Sequence, residues 1–137
     1  MSLVLDASLT LAWIFPDETT TEVQRVFDQI SVGGCFVPQL WRLEIANGLA
    51  IAMRRRHISS TFRAHAIKVL ELTQISIDTE TSTHAWAGTL QLADRFRLTL
   101  YDASYLELAH RLALPLATLD RGLRAAAATL DIPLLGA

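Results

Sequence analysis

Apolar residues in this chain follow two rhythms that alternate from end to end. One is a short unbroken run: Leu3-Val4-Leu5, Cys35-Phe36-Val37, Ile75-Ser76-Ile77, Leu116-Ala117-Thr118-Leu119 and Ile132-Pro133-Leu134-Leu135. Such runs are too short for helices and too uniformly apolar for a sheet with one wet face, so they read as strands covered on both sides. The other rhythm repeats every three or four residues and predicts helices between the runs. The first helix follows Asp6 and is stopped by Pro16, and the second covers residues 20–31, with Val23, Val26, Phe27 and Ile30 on one face and Gly33-Gly34 closing it. A longer helix opens at Pro38 and reaches about Arg56, and another covers residues 61–73. Ser82 to Arg97 reads as one helix carrying Trp86, Leu90 and Ala93 on its packed side. Asp102 opens a helix that Pro115 ends, and Asp120 to Leu130 forms the last. Strands alternating with helices predict an α/β fold, a three-layer α/β/α sandwich around a short, mainly parallel sheet.

Composition narrows this picture. The 137 residues are enough for one domain spanning 1–137, and 51% hydrophobic content supplies its core. No repeat, linker or low-complexity segment interrupts it. With 12 basic and 14 acidic residues the formal net charge is −2, so no global field draws the protein to nucleic acid or an anionic membrane, and any such contact must be a local patch. The lone Cys35 forms neither a disulfide framework nor a cysteine metal site, which suits a reducing compartment. Asp6 interrupts the first apolar run and no basic stretch precedes it, so the expectation is a cytoplasmic protein with no signal peptide and no membrane partner.

Four acids stand out. Asp6 ends the first strand, Asp102 begins a helix, Asp120 follows a strand, and Glu44 lies in a helix where, from Leu43 to Met53, the only other polar side chain is Asn47. The three aspartates have an ordinary reading as helix N-caps. Glu44 has none: a carboxylate on an apolar helix is costly unless it is protonated, paired or bound to a cation, and the nearest arginine, Arg42, projects from a different face. The functional reading is that all four converge on a divalent ion. Oxygen ligands without Cys or His select a hard cation, Mg²⁺ or Mn²⁺, and His57, His65, His84 and His110 show no ligand pairing. Carboxylate sites of that kind hydrolyse phosphoesters.

The segments Val4-Leu5-Asp6-Ala7-Ser8, Trp41-Arg42-Leu43-Glu44-Ile45-Ala46-Asn47, Tyr101-Asp102-Ala103-Ser104-Tyr105-Leu106 and Ala117-Thr118-Leu119-Asp120-Arg121 together resemble PIN-domain proteins, especially VapC-type toxins, in order and separation over nearly the whole chain. The resemblance implies a Mg²⁺- or Mn²⁺-dependent endoribonuclease, the toxin of a type II toxin–antitoxin system, acting on RNA as a homodimer and neutralised by a small VapB-like antitoxin. It assigns Asp6, Glu44, Asp102 and Asp120 to the metal site and to catalysis, puts the hydroxyls of Ser8 and Thr118 nearby, and sets Asn47 one layer behind.

RNA needs positive charge. Arg54-Arg55-Arg56 is the obvious cluster, although arginines also suit a solvated helix end, and Arg121 and Arg124 follow the last acid. Trp13, Trp41, Trp86, Tyr101 and Tyr105 could stack on bases, yet aromatics at helical spacing are more often core. Two other classes compete. A receiver-type phosphoacceptor needs paired acids after its first strand and a lysine near its end, whereas the only lysine here is Lys68. A PIN-like binding module without catalysis would have lost one or more acids, and all four are present.

Overall fold

The apolar runs become five short strands in a computed structural model that describes residues 1–137. They are β1 (Val4–Leu5), β2 (Cys35–Val37), β3 (Ile75–Ile77), β4 (Leu116–Ala117) and β5 (Leu134–Leu135), all parallel, in the order β3-β2-β1-β4-β5. Val4 pairs with Phe36 on one side and Leu116 on the other, which puts the most apolar strand at the centre. A receiver fold has the order 2-1-3-4-5, so the sheet rules out that alternative.

The helices are α1 (Ala7–Ile14), α2 (Thr21–Gly33), α3 (Trp41–Arg54), α4 (Ser60–Leu72), α5 (Thr81–His84), α6 (Leu90–Phe96), α7 (Leu100–Leu112) and α8 (Arg121–Thr129). Parallel crossovers are right-handed. The β1-to-β2 and β2-to-β3 connections run one way across the sheet, and those into β4 and β5 run the other way, so the two sets of helices fall on opposite faces. The packing agrees, with α1 against α2 and α3, and α7 against α6, α8, β1 and β4. The result is the three-layer α/β/α sandwich. Its core runs through Leu5, Leu9, Val26, Ile45, Leu106 and Leu123. Gly48 lets α3 approach α1, since a Cβ there would stand 2.7 Å from Leu11 Cδ1.

Two boundaries depart from the sequence reading and bear on function. The helix expected over Ser82–Arg97 is broken: Ala85–Thr89 forms a wide π-type turn in which Ala87 leaves helical geometry (φ −122°, ψ −105°). The wide turn re-aims its own residues relative to α6, so Ala93 stays buried while Trp86, expected on the packed side, is 93% exposed; Leu90, at the first position of α6, is also exposed. The second departure is at α7, which Asp102 does not open. Thr99 is its N-cap, with the hydroxyl accepting the Asp102 N–H at 3.1 Å, and Asp102 is the third helical residue.

Candidate active site

In an open α/β sheet the ligand crevice lies beyond the carboxyl ends of the strands where the chain reverses its direction across the sheet. Here that point is between β1 and β4. Asp6 follows β1, Thr118 and Asp120 follow β4, and the Asp6 N–H donates to the Ala117 carbonyl at 3.0 Å, fixing the two strand ends together.

Each acid is held at this end of the sheet by a different local device. Asp6 is the N-cap of α1 and only 3% exposed, and its carboxylate accepts the backbone N–H of Ser8 and, at 2.5 Å, the hydroxyl of Thr118. The Thr118 oxygen in turn accepts the Asp120 N–H at 3.0 Å, while Ser8 Oγ accepts the Leu119 N–H at 3.2 Å. Asp120 caps α8 by accepting the Leu123 N–H at 2.9 Å. Asp102, half-buried in the first turn of α7, has no such task, because Thr99 has taken the cap. Glu44 comes in from α3, and what meets it is a phenol: Tyr105 Oη donates to Glu44 Oε1 at 2.5 Å. The ordinary capping reading therefore holds for Asp6 and Asp120 and fails for Asp102.

The four carboxylates feel one another. Burial holds the Asp6 carboxyl above the usual carboxylate range, against hydrogen bonds from Thr118 and Ser8 that pull it down, and the charge of Asp120 adds to the rise. Burial likewise raises Glu44, opposed by the Tyr105 hydroxyl and reinforced by Asp6 and Asp102. Asp102 is raised by burial and then by Asp120 and Asp6. The elements give partial relief, since α1, α3, α7 and α8 all begin here and present the positive ends of their dipoles. No side-chain cation does so. The ion pairs of the molecule all belong to Arg111, which binds Asp78 and Glu107 at 2.8 Å and approaches Glu80 at 3.8 Å.

Such a donor set suits a hard divalent cation: four carboxylates, no Cys or His, and negative charge that no side-chain cation neutralises. No three of them already stand in a ready ligating cluster, so gathering around an ion requires side-chain rotation.

The remaining candidates divide. Ser8 and Thr118 are in the hydrogen-bond network. Asn47 is exposed and outside it. Arg54, Arg55 and Arg56 are exposed: Arg54 ends α3, ten residues from Glu44 and so about 15 Å along the helix axis, and Arg55 and Arg56 lie just beyond it. Arg121 is exposed directly after Asp120. Arg124 is engaged: its Nη1 donates to the carbonyls of Thr118 at 2.7 Å and Leu135 at 3.1 Å, tying β4 to β5. Cavities of about 330 and 700 Å³ lie elsewhere, along α3 and α4, and none of the four acids lines them.

Sequence reasoning missed three contributors. Tyr105 is one; its signal was its position three residues after Asp102, on the same face of the helix. The others are Thr10, whose hydroxyl donates to the Asp6 carbonyl at 2.9 Å, and Trp41, whose indole N–H donates to Thr10 Oγ1 at 3.1 Å.

Comparison with known proteins bears on this arrangement. The model of the PIN domain matches residues 3–128. Among solved structures, PAE2754 from Pyrobaculum aerophilum superposes with a TM-score of 0.69 at 24% identity, covering 92% of this chain and 79% of that one. FitAcB from Neisseria gonorrhoeae superposes with a TM-score of 0.65 at 18% identity, covering 98% and 96%. At these identities the two structures speak for the fold. Among curated proteins none matches.

Proposed function

The chain belongs to the PIN-domain family, and from that premise we propose that it is a Mg²⁺- or Mn²⁺-dependent endoribonuclease, the toxin of a VapC-type toxin–antitoxin pair, with Asp6, Glu44, Asp102 and Asp120 as its metal-binding and catalytic acids. PIN domains are generally nucleases. The observation that carries the reading is the group of carboxylates at the β1/β4 reversal, three of them raised in pKa and none paired with a cation.

A bound divalent ion would supply an activated water and neutralise charge developing on the leaving oxygen. The chain's own residues prepare for this in distinct ways. Thr118 and Ser8 hold the Asp6 carboxylate, and Tyr105 holds Glu44. Asp102, free of capping, is the acid most able to turn toward an ion. Arg121 is the cation nearest the acids in sequence and is suited to a flanking phosphate, while Arg54-Arg55-Arg56 can meet only a more distant part of an RNA strand or the antitoxin.

Asp102→Asn tests the reading. It removes one charge and leaves the Thr99 cap intact, so the variant should fold and, without metal, melt no lower than the parent. Cleavage of a labelled single-stranded RNA in Mg²⁺ or Mn²⁺ should fall by about two orders of magnitude or more. A folded variant that cuts as the parent does would defeat the proposal.

The homodimer belongs to the same reading. Trp86 at 93% and Leu90 at 45% exposure form apolar surface that a second copy would cover. Light scattering should give twice the chain mass, and Trp86→Ser should shift it toward one chain; a parent that stays monomeric at high concentration refutes this part.

A further inference from the structure

Tyr105 is 1% exposed, its ring is part of the hydrophobic core on α7, and its hydroxyl has one partner, Glu44 Oε1 at 2.5 Å on α3. A phenol packed this way cannot swing aside as a surface side chain would. It therefore fills one lone-pair site of Glu44 Oε1 and crowds that oxygen with the phenol ring, leaving Oε2 with both of its sites as the oxygen more open to a cation. The number of oxygens a carboxylate offers matters to the choice of ion. Ca²⁺ collects six to eight oxygens and readily takes a carboxylate through both, whereas Mg²⁺ requires a near-octahedral set and accepts a carboxylate through one.

We propose that Tyr105 is a positioning residue that makes Glu44 a one-oxygen ligand and thereby biases the acidic site toward small hard cations and against Ca²⁺. The inference rests on the metal site proposed above. It concerns selectivity, which a purely structural role for Tyr105 would not touch: loosened packing would weaken every ion alike.

Titration calorimetry of Mn²⁺ and of Ca²⁺ with the parent and with Tyr105→Phe tests it. The parent should bind Mn²⁺ more tightly than Ca²⁺. In Tyr105→Phe the ratio of the two affinities should fall by about tenfold, the low end of what removing a ligand-orienting group costs, because Glu44 can then offer both oxygens. Equal changes for the two ions, or none, would overturn the proposal. A parent that binds neither ion would overturn the metal-site reading itself, and the inference with it. One measurement needs no variant: by NMR, the Tyr105 hydroxyl proton of the parent should remain protected from exchange when Mg²⁺ is added. Loss of that protection on saturation would mean that the ion had taken Oε1, and would refute the proposal even if Tyr105→Phe did not fold.

Discussion

Thr118→Val removes one oxygen and keeps the shape of a residue that is fully buried between β4 and α8. That oxygen makes two bonds, donating to Asp6 at 2.5 Å and accepting from the Asp120 N–H at 3.0 Å. Losing the donor to a carboxylate costs about 1.5–3 kcal/mol, and losing the acceptor of a neutral N–H about 0.5–1.5 kcal/mol. The valine methyl returns a little of this through apolar burial, so the net loss is about 2–3 kcal/mol near neutral pH. With a urea m-value typical of a small domain, the midpoint should drop by about 1–2 M. Tryptophan fluorescence during urea unfolding measures it. The loss must also depend on pH. The Thr118 hydroxyl lowers the Asp6 pKa, so the variant raises it further, and the cost is present when Asp6 is ionised and shrinks when acid protonates it. Cleavage should fall by about 10- to 100-fold, although all four acids remain, because Asp6 loses a group that orients it. A midpoint shift below about 0.3 M, or one that is the same at pH 4.5 and pH 8, would refute the reasoning.

The raised carboxyls of Asp6, Glu44 and Asp102 set the pH profile of the metal-free protein. A folded state that binds protons more tightly than the unfolded one loses stability as pH rises, so Tm should decline from about pH 4 toward pH 8, and millimolar Mg²⁺ should remove most of the decline. A Tm flat or rising over that range without metal contradicts this. Arg111→Met leaves Glu107, which is 7% exposed, without its cation and frees Asp78 at the end of β3. The partly open Arg111 moderates the penalty to about 2–3 kcal/mol at neutral pH by denaturant titration, and cleavage should be unchanged in the folded fraction. Burial pushes Asp78 up, but Arg111 outweighs it and holds the carboxyl below its usual range, so the parent should also lose stability below about pH 4 as Asp78 is protonated.

The parts legible in the sequence were those written in local patterns. Unbroken apolar runs gave all five strands and the parallel sheet, but cover on both sides holds only for the inner strands β1, β2 and β4; the edge strand β3 is largely exposed, with Ile77 at 38%, and β5 is half-buried. Gly33-Gly34 marked the end of α2, with Gly34 at φ +70°. Boundaries failed where a tertiary contact or a competing cap decided them. Thr99 outranks Asp102 as a cap because it lies before the helix and its hydroxyl reaches the N–H three residues on. The segment around Ala87 reads as helix in composition, and its wide turn is not written there, so Trp86 was assigned to the wrong face. Arg124 shows the same limit. Its spacing from Asp120 suggested a surface cation, and only the fold discloses that two strand-end carbonyls occupy it. Tyr105 looked like core and is core; its spacing from Asp102 puts it on the acid-bearing face of α7, but the bond of its hydroxyl to Glu44, 61 residues away in the sequence, is a long-range contact that no local pattern encodes.

Where a sequence conflicts with its own local rules, function is the usual reason, and the conflict here has a physical measure. The chain spends its one guanidinium ion-pair network on Arg111, away from the β1/β4 reversal, and sends four carboxylates to that reversal with only helix dipoles, hydroxyls and backbone N–H groups for company. Those groups orient negative charge without neutralising it. An arginine at the crevice would relieve the repulsion and would also occupy the oxygens that an ion needs. The absence of a side-chain cation among acids held this firmly by Thr118, Ser8 and Tyr105 therefore argues for a site that exchanges stability in the metal-free state for affinity toward a divalent ion. The decline in Tm with pH and its reversal by Mg²⁺ measure that exchange in a single titration.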